Sequence, residues 1–181
     1  MSDELIDVVD ENNQPNGEQK MKSLAHQDGS WHRSAHIWLY NSRGEILLQL
    51  RAKDKLLAPD CWDVSAAGHV AAGEDPLTSG LRELEEEIGV KTEKESLEFF
   101  RILRREALPD AIPNNEFYYI YFLPFSGRAE DLKIQLEELQ TVRLFTIKEI
   151  RDSLKNNRVK FAQADDYWKE ILNEIETRTR E

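Results

Sequence analysis

The chain has 181 residues, of which 40% are hydrophobic and 33% charged, and a formal net charge of −11. That length suits one domain with a continuous core, and the composition is that of an ordinary soluble globular protein. The acidic balance excludes a bulk nucleic-acid binder, whose affinity rests on clustered Lys and Arg, and no apolar run approaches the ~20 residues that span a bilayer.

In chain order, the start Met1-Ser2-Asp3-Glu4 is acidic and lacks an apolar stretch with a cleavage site, so no secretory leader is expected. Residues 4–9 read as a short strand, and residues 10–17 as a loop dense in turn formers. Residues 34–40 and 45–51 are strand-like runs joined by Asn41-Ser42-Arg43-Gly44, which has the chemistry of a hairpin turn. Cys61 stands alone and cannot form an internal disulfide, which makes a reducing cytoplasm the expected home. Residues 62–67 read as a further strand.

A helix with clear punctuation follows. Asp75 can cap its free N–H groups, Pro76 fits the first helical position, and Gly89 can close the helix in the left-handed conformation. Leu77, Leu81, Leu84 and Ile88 recur at spacings of four, three and four, which makes one apolar face. Strands are expected at 98–103 and 117–124, with the aromatic run 117–122 as sheet core, and a short last strand at 144–145 before the segment 147–154. The tail from 161 to 176 reads as an amphipathic helix docking through Phe161, Trp168, Ile171, Leu172 and Ile175. Strands interrupted by a few helices imply an α/β or α+β sandwich.

Chemistry concentrates on the punctuated helix. Glu83, Glu86 and Glu87 fall at i, i+3 and i+4, which sets three carboxylates side by side on a face opposite the leucines. Their mutual repulsion costs a few tenths of a kcal/mol per exposed pair, and near the C-terminus they oppose the helix dipole. A hard cation such as Mg2+, held by carboxylates and substrate phosphates, would offset that repulsion and reverse the local sign of an acidic site. The bland alternative is a solvated glutamate-rich surface.

The stretch 68–90, GHVAAGEDPLTSGLRELEEEIGV, resembles the Nudix box, G-x5-E-x7-R-E-U-x-E-E-x-G-U, where U is a bulky aliphatic residue. Gly68, Glu74, Arg82, Glu83, Leu84, Glu86, Glu87, Gly89 and Val90 fill every specified position. The resemblance implies an α/β fold, a Nudix-type α/β/α sandwich with a mixed β-sheet, as one domain over 1–181. An N-terminal extension of about 30 residues and a C-terminal helix at about 161–178 would flank it. It implies a Mg2+ cofactor, with Mn2+ as the alternative, ligated by Glu83, Glu86 and Glu87 and by the Gly68 carbonyl. Either Glu86 or Glu87 would act on the attacking water, while Glu74 and Arg82 would steady the loop and helix. The implied reaction is cleavage of a diphosphate bond in a small organic diphosphate, either a nucleoside diphosphate derivative or an isoprenoid diphosphate.

Beyond the box, residues 4–17, 31–40 and 61–69 are similar to the branch related to isopentenyl-diphosphate isomerases. His32 and His69 fall at that branch's metal-binding positions, and His26 lies near another at a spacing one residue shorter. Glu116 matches a site carboxylate. The isomerases' essential cysteine is replaced by Ala67, a second glutamate by Asn114, and the box is complete where theirs is degenerate. The balance is a hydrolase on an isomerase-like frame. An isomerase working without that cysteine and a non-catalytic diphosphate sensor are the alternatives. For His32 and His69 the competing reading is a hydrogen-bonded structural role, and His36 is expected to have no catalytic part. Glu138, beside Glu137, is a further candidate for metal or base, or else surface charge. Arg51, Arg104 and Arg105 are candidate phosphate contacts, because Arg forks match phosphate oxygens, with exposed ion pairing as the alternative. The expected partner is the small-molecule diphosphate, with neither nucleic acid nor membrane.

Overall fold

A computed structural model describes residues 3–108 and 111–180. Met1, Ser2 and Glu181, at the ends of the expected span, lie outside the described residues. The chain runs β1 (Leu5–Val9), β2 (Pro15–Met21), α1 (Lys22–Asp28), β3 (His32–Tyr40), β4 (Glu45–Arg51), β5 (Trp62–Asp63) and β6 (Ala66–His69). It continues with α2 (Pro76–Ile88), β7 (Glu98–Arg105), β8 (Glu116–Pro124), β9 (Leu139–Thr146), α3 (Ile147–Asn156) and α4 (Asp165–Arg178).

Among the described residues, seven strands form one sheet in the order β5-β4-β3-β8-β7, with β6 also on β3 and β9 also on β4. The pairing β3–β8 is parallel and the others are antiparallel, so the sheet is mixed. Side chains alternate across β3. Ala35, Ile37 and Leu39 face α2 with Leu47, Ala66, Leu84 and Ile88. Trp38 and Tyr40 face the opposite layer, with Ile120, Phe122 and Ile150 and with Trp168, Ile171, Leu172 and Ile175 of α4. Burial of both sheet faces gives the expected α/β/α sandwich.

Several boundaries differ from the expectation. The loop expected at 10–17 gives way to β2, whose residues are mostly exposed and polar, so no hydrophobic alternation announces it. It pairs with β1 in a separate two-stranded sheet, fastened to the core where Val9 N donates to the Trp31 carbonyl and Ala72 N to the Leu5 carbonyl. The single strand expected at 62–67 is two. β5 pairs with β4 and β6 with β3, and buried Ser65 bridges them by accepting from Leu39 N and donating to the Leu47 carbonyl. β9 is longer than expected because it pairs along most of β4. The last helix begins at Asp165, and Phe161 instead bridges to Trp62.

A buried polar chain holds α4 to the sheet. Trp38 Nε1 donates to Tyr167 Oη at 3.1 Å, and that hydroxyl lies 2.9 Å from His36 Nδ1. A hydroxyl that accepts from Trp38 donates to His36, which leaves the imidazole proton on Nε2. Tyr167→Phe would strip partners from both groups and is expected to destabilise the protein by about 1–3 kcal/mol. Thermal melting should fall by several degrees, and an unchanged melting temperature would remove the chain from the account of stability.

Candidate functional site

The box helix is built as its punctuation foretells. Asp75 accepts from Leu77 N and Thr78 N, and Gly89 closes α2 at φ 71°. The carboxylates, however, do not share a solvated face. Glu86 is half exposed, Glu83 is mostly covered, and Glu87 is buried at 6% exposure beside Leu84 and Ile88. Glu87 accepts from Ala67 N at 3.0 Å and Gln49 Nε2 at 3.2 Å, so it caps the free edge of β6. Burial, with the neighbouring Glu83 charge adding to it, pushes its pKa up to about 8 against the opposing pull of the Ala67 N–H, Lys55 and Arg51. Burial likewise pushes Glu83 up to about 7, against the opposing charge of Arg82.

Gly68 faces Glu83 directly, and a Cβ there would fall on the Glu83 carboxyl group. The cradle therefore requires glycine at this position. Arg82 sits among Glu83 at 2.6 Å, Glu86 at 3.2 Å and Glu74 at 3.7 Å. Glu74 also accepts from Ser79 Oγ at 2.5 Å, which ties the loop before α2 to the helix. Burying two carboxylates a turn apart is costly unless a cation compensates them. Hard oxygen donors beside a close-approaching backbone suit a small divalent ion.

A second cluster lies on the other face of β6. The sheet register sets His32 opposite Glu116 and Ser34 opposite His69, and α1 brings His26 to the same place. The three rings stand with centroids 5.1–5.2 Å apart, and one nitrogen from each lies within 4.8 Å of the others. His26 Nε2 and His69 Nε2 are 3.2 Å apart. His32 donates from Nδ1 to the Ser30 carbonyl at 2.8 Å, so Nε2 presents a lone pair, and it is buried with no hydrogen-bond partner among the described residues. Glu116 Oε1 lies 3.6 Å from His32 and 3.5 Å from His69, while Asn114 donates to Glu116 Oε2 at 2.6 Å. Burial lowers the pKa of all three imidazoles. Three converging imidazoles, each favoured in its neutral form by burial, make a donor set that a transition or zinc-like cation fits.

The remaining expected residues divide. Arg51 holds Asp63 at 3.2 Å and the Leu57 carbonyl at 3.0 Å, close enough to act on Glu87. Glu138 is paired with Lys55, whose pKa burial lowers to about 8. Arg104 and Arg105 are not brought to the box. Arg104 lies 4.4 Å over the Trp31 ring and pairs with Glu106, and Arg105 grips Asp166 of α4 with both terminal nitrogens. Lys55 escaped the sequence reading because a lysine in a loop carries no motif. His26 stands one residue off its expected spacing, and α1 nonetheless carries it to the cluster.

Three comparisons bear on this geometry. A family model described as the NUDIX domain matches residues 30–165. Nudix hydrolase 3 of Arabidopsis thaliana is 35% identical over 159 residues, 85% of this chain, which spans 21% of that longer protein. An isopentenyl-diphosphate Delta-isomerase of Serratia proteamaculans is 31% identical over 88% of this chain and 86% of its own length. In fold, a crystal structure from Deinococcus radiodurans superimposes with a TM-score of 0.72 at 21% identity, covering 92% of this chain and 98% of that one.

Proposed function

The chain belongs to the Nudix family, and from that premise we propose that it is a Mg2+-dependent hydrolase that cleaves the diphosphate bond of a small organic diphosphate. The observation that carries this reading is the pair of covered carboxylates, Glu83 and Glu87, with Glu83 seated where a side chain at Gly68 would otherwise stand. Glu83, Glu87 and the Gly68 carbonyl would hold the ion, with Glu86 completing the set from the solvent side. Mg2+ supplies charge neutralisation at the phosphate oxygens and acidifies adjacent water. Arg51 and Lys55, both within electrostatic reach of Glu87, would hold the phosphates. Glu86, the most accessible of the three, would orient the attacking water. Arg82 and Glu74 fix the geometry of these groups.

The imidazole trio, with Glu116 beside it, is assigned in the same proposal to a second divalent ion. It is also the specific observation that favours a second reading, isomerisation of an isoprenoid diphosphate, because a relative bearing that name is 31% identical. Ala67 opposes that reading, since an aliphatic side chain cannot carry a proton to or from carbon. We take the whole span 1–181 as the working unit, because α1 brings His26 to the second cluster and α4 covers the sheet face opposite the box helix.

The test is a 31P NMR time course with Mg2+ on isopentenyl diphosphate, geranyl diphosphate and ADP-ribose, with proton spectra in parallel. Monophosphate or orthophosphate should accumulate. Intact diphosphate with a migrated double bond would overturn the hydrolase. Chelation by EDTA is expected to abolish turnover and to lower the melting temperature by several degrees, since an ion at about 100 times its Kd contributes about 2.7 kcal/mol. Full activity in EDTA would sink the metal-centred reading.

A further inference from the structure

Gln49 breaks the pattern of β4. Alternate residues of that strand turn toward α2, where Leu47 packs with Leu84 and Ile88, while Ile46 and Leu48 belong to the opposite layer. Gln49 falls on the α2 side and is 2% exposed. Val142 of β9 stands opposite it in the register and packs into the same apolar layer. By pattern alone the position suits a leucine. An amide buried there costs about 1–3 kcal/mol unless its hydrogen bonds are remade inside the protein.

The bond it makes runs to the box helix. Gln49 Nε2 donates to Glu87 Oε2 at 3.2 Å, and Ala67 N donates to the same oxygen at 3.0 Å. Toward an ionised carboxylate an amide can only donate, so the orientation of Gln49 is set as well. The two donors come from different strands: β6 pairs with β3, and β4 with β3, β5 and β9. Glu87 is thus held from two strands at once. One donor alone would let the carboxyl group swing about it, whereas two donors from different directions fix its plane. With both of them on Oε2, Oε1 is the oxygen that meets an ion. Glutamine also adds no charge, whereas a lysine or arginine in its place would compete with a cation for Glu87.

We infer that Gln49 is a positioning residue for the box, its buried amide fixing the Glu87 carboxylate in the orientation that receives the divalent ion. The inference rests on the metal-centred reading above and extends it to a residue outside the box.

The experiment uses the full chain and measures Mg2+ affinity by calorimetry and kcat/KM on ADP-ribose and isopentenyl diphosphate. Gln49→Met, unbranched and of similar length, should weaken Mg2+ binding by about 10- to 100-fold, the scale of losing a group that orients a metal ligand. Turnover should fall in step, with the metal-free melting temperature within a few degrees of the parent. In the Glu87→Gln background the same substitution should cost less than about twofold in kcat/KM, since the ionised ligand that Gln49 orients is gone. Gln49→Asn keeps the amide but is one methylene short. It should weaken Mg2+ binding in the same sense, and it serves if the methionine variant does not fold. Unchanged Mg2+ affinity in either folded variant, or an equal loss of kcat/KM with and without Glu87, would overturn the inference and leave the hydrolase standing. Hydrolysis of neither compound by the parent, with Mg2+ binding weakened in the variants as expected, would support the role of Gln49 and count against the hydrolase. A parent that neither binds Mg2+ nor hydrolyses either compound would overturn both.

Discussion

Glu87→Gln should cost roughly 10²- to 10³-fold in kcat/KM, the scale of removing one preorganised electrostatic group from a closed site. The same change should make the metal-free protein more stable. Glutamine keeps the shape, and its carbonyl can still accept from Ala67 N and Gln49 Nε2, while the buried charge is gone. Without metal, Glu87 binds its proton up to about pH 8 in the folded protein, whereas its ordinary value is 4.5. Between those values the folded chain carries more protons than the unfolded chain, so its stability falls as pH rises through that window. The advantage of the Glu87→Gln variant should therefore grow from pH 5 to pH 8. Added Mg2+ should stabilise the parent and do little for the variant. Thermal melts at the two pH values, with and without Mg2+, read both effects. A variant that melts lower at pH 8 without metal would show that Glu87 stabilises the fold by its hydrogen bonds and is not a charge awaiting a cation.

Gly68→Ala is expected to act on activity more than on stability. The added methyl collides with the Glu83 carboxyl, the far end of a side chain that can swing, and not with backbone. The chain should fold, with a melting temperature within a few degrees of the parent. Glu83 would be turned out of the cradle, and a displacement of about 1 Å at a reacting centre costs on the order of 10²-fold. Mg2+ affinity, read by the shift in melting temperature across a titration, should weaken in step. Retained activity in the Gly68→Ala variant would mean that Glu83 works from a position other than the one it holds against β6.

The box helix was legible residue by residue because its signals are local. Asp75, Pro76 and Gly89 act on their own backbone neighbours, and helical spacing alone sets Glu83 beside Glu87. Depth was not legible. Angular position on a helix says nothing of what packs over it, and only tertiary contact with Gln49 and Ala67 makes Glu87 a buried group and Glu86 an exposed one. The imidazole trio was half legible. His32 and His69 were marked by resemblance, but their meeting depends on β3 pairing with β6 and β8 at one register, and His26 arrives on α1, which has no apolar alternation to announce it. Arg104 and Arg105 show the opposite failure. Their residue type suits phosphate, but β7 pairs only with β8 at the sheet's edge, and partners on the surface take both side chains.

Gly68 and His69 are consecutive, and they face opposite sides of β6. A single inserted or deleted residue between Ser65 and Gly68 would turn that strand over. It would drive an imidazole under α2 and leave a bare backbone where the third ring belongs. Substitution can silence either site alone, but a change in length there silences both together. In the proposed two-site arrangement a substitution acts on one site at a time, whereas the segment that joins them tolerates no drift in its count of residues.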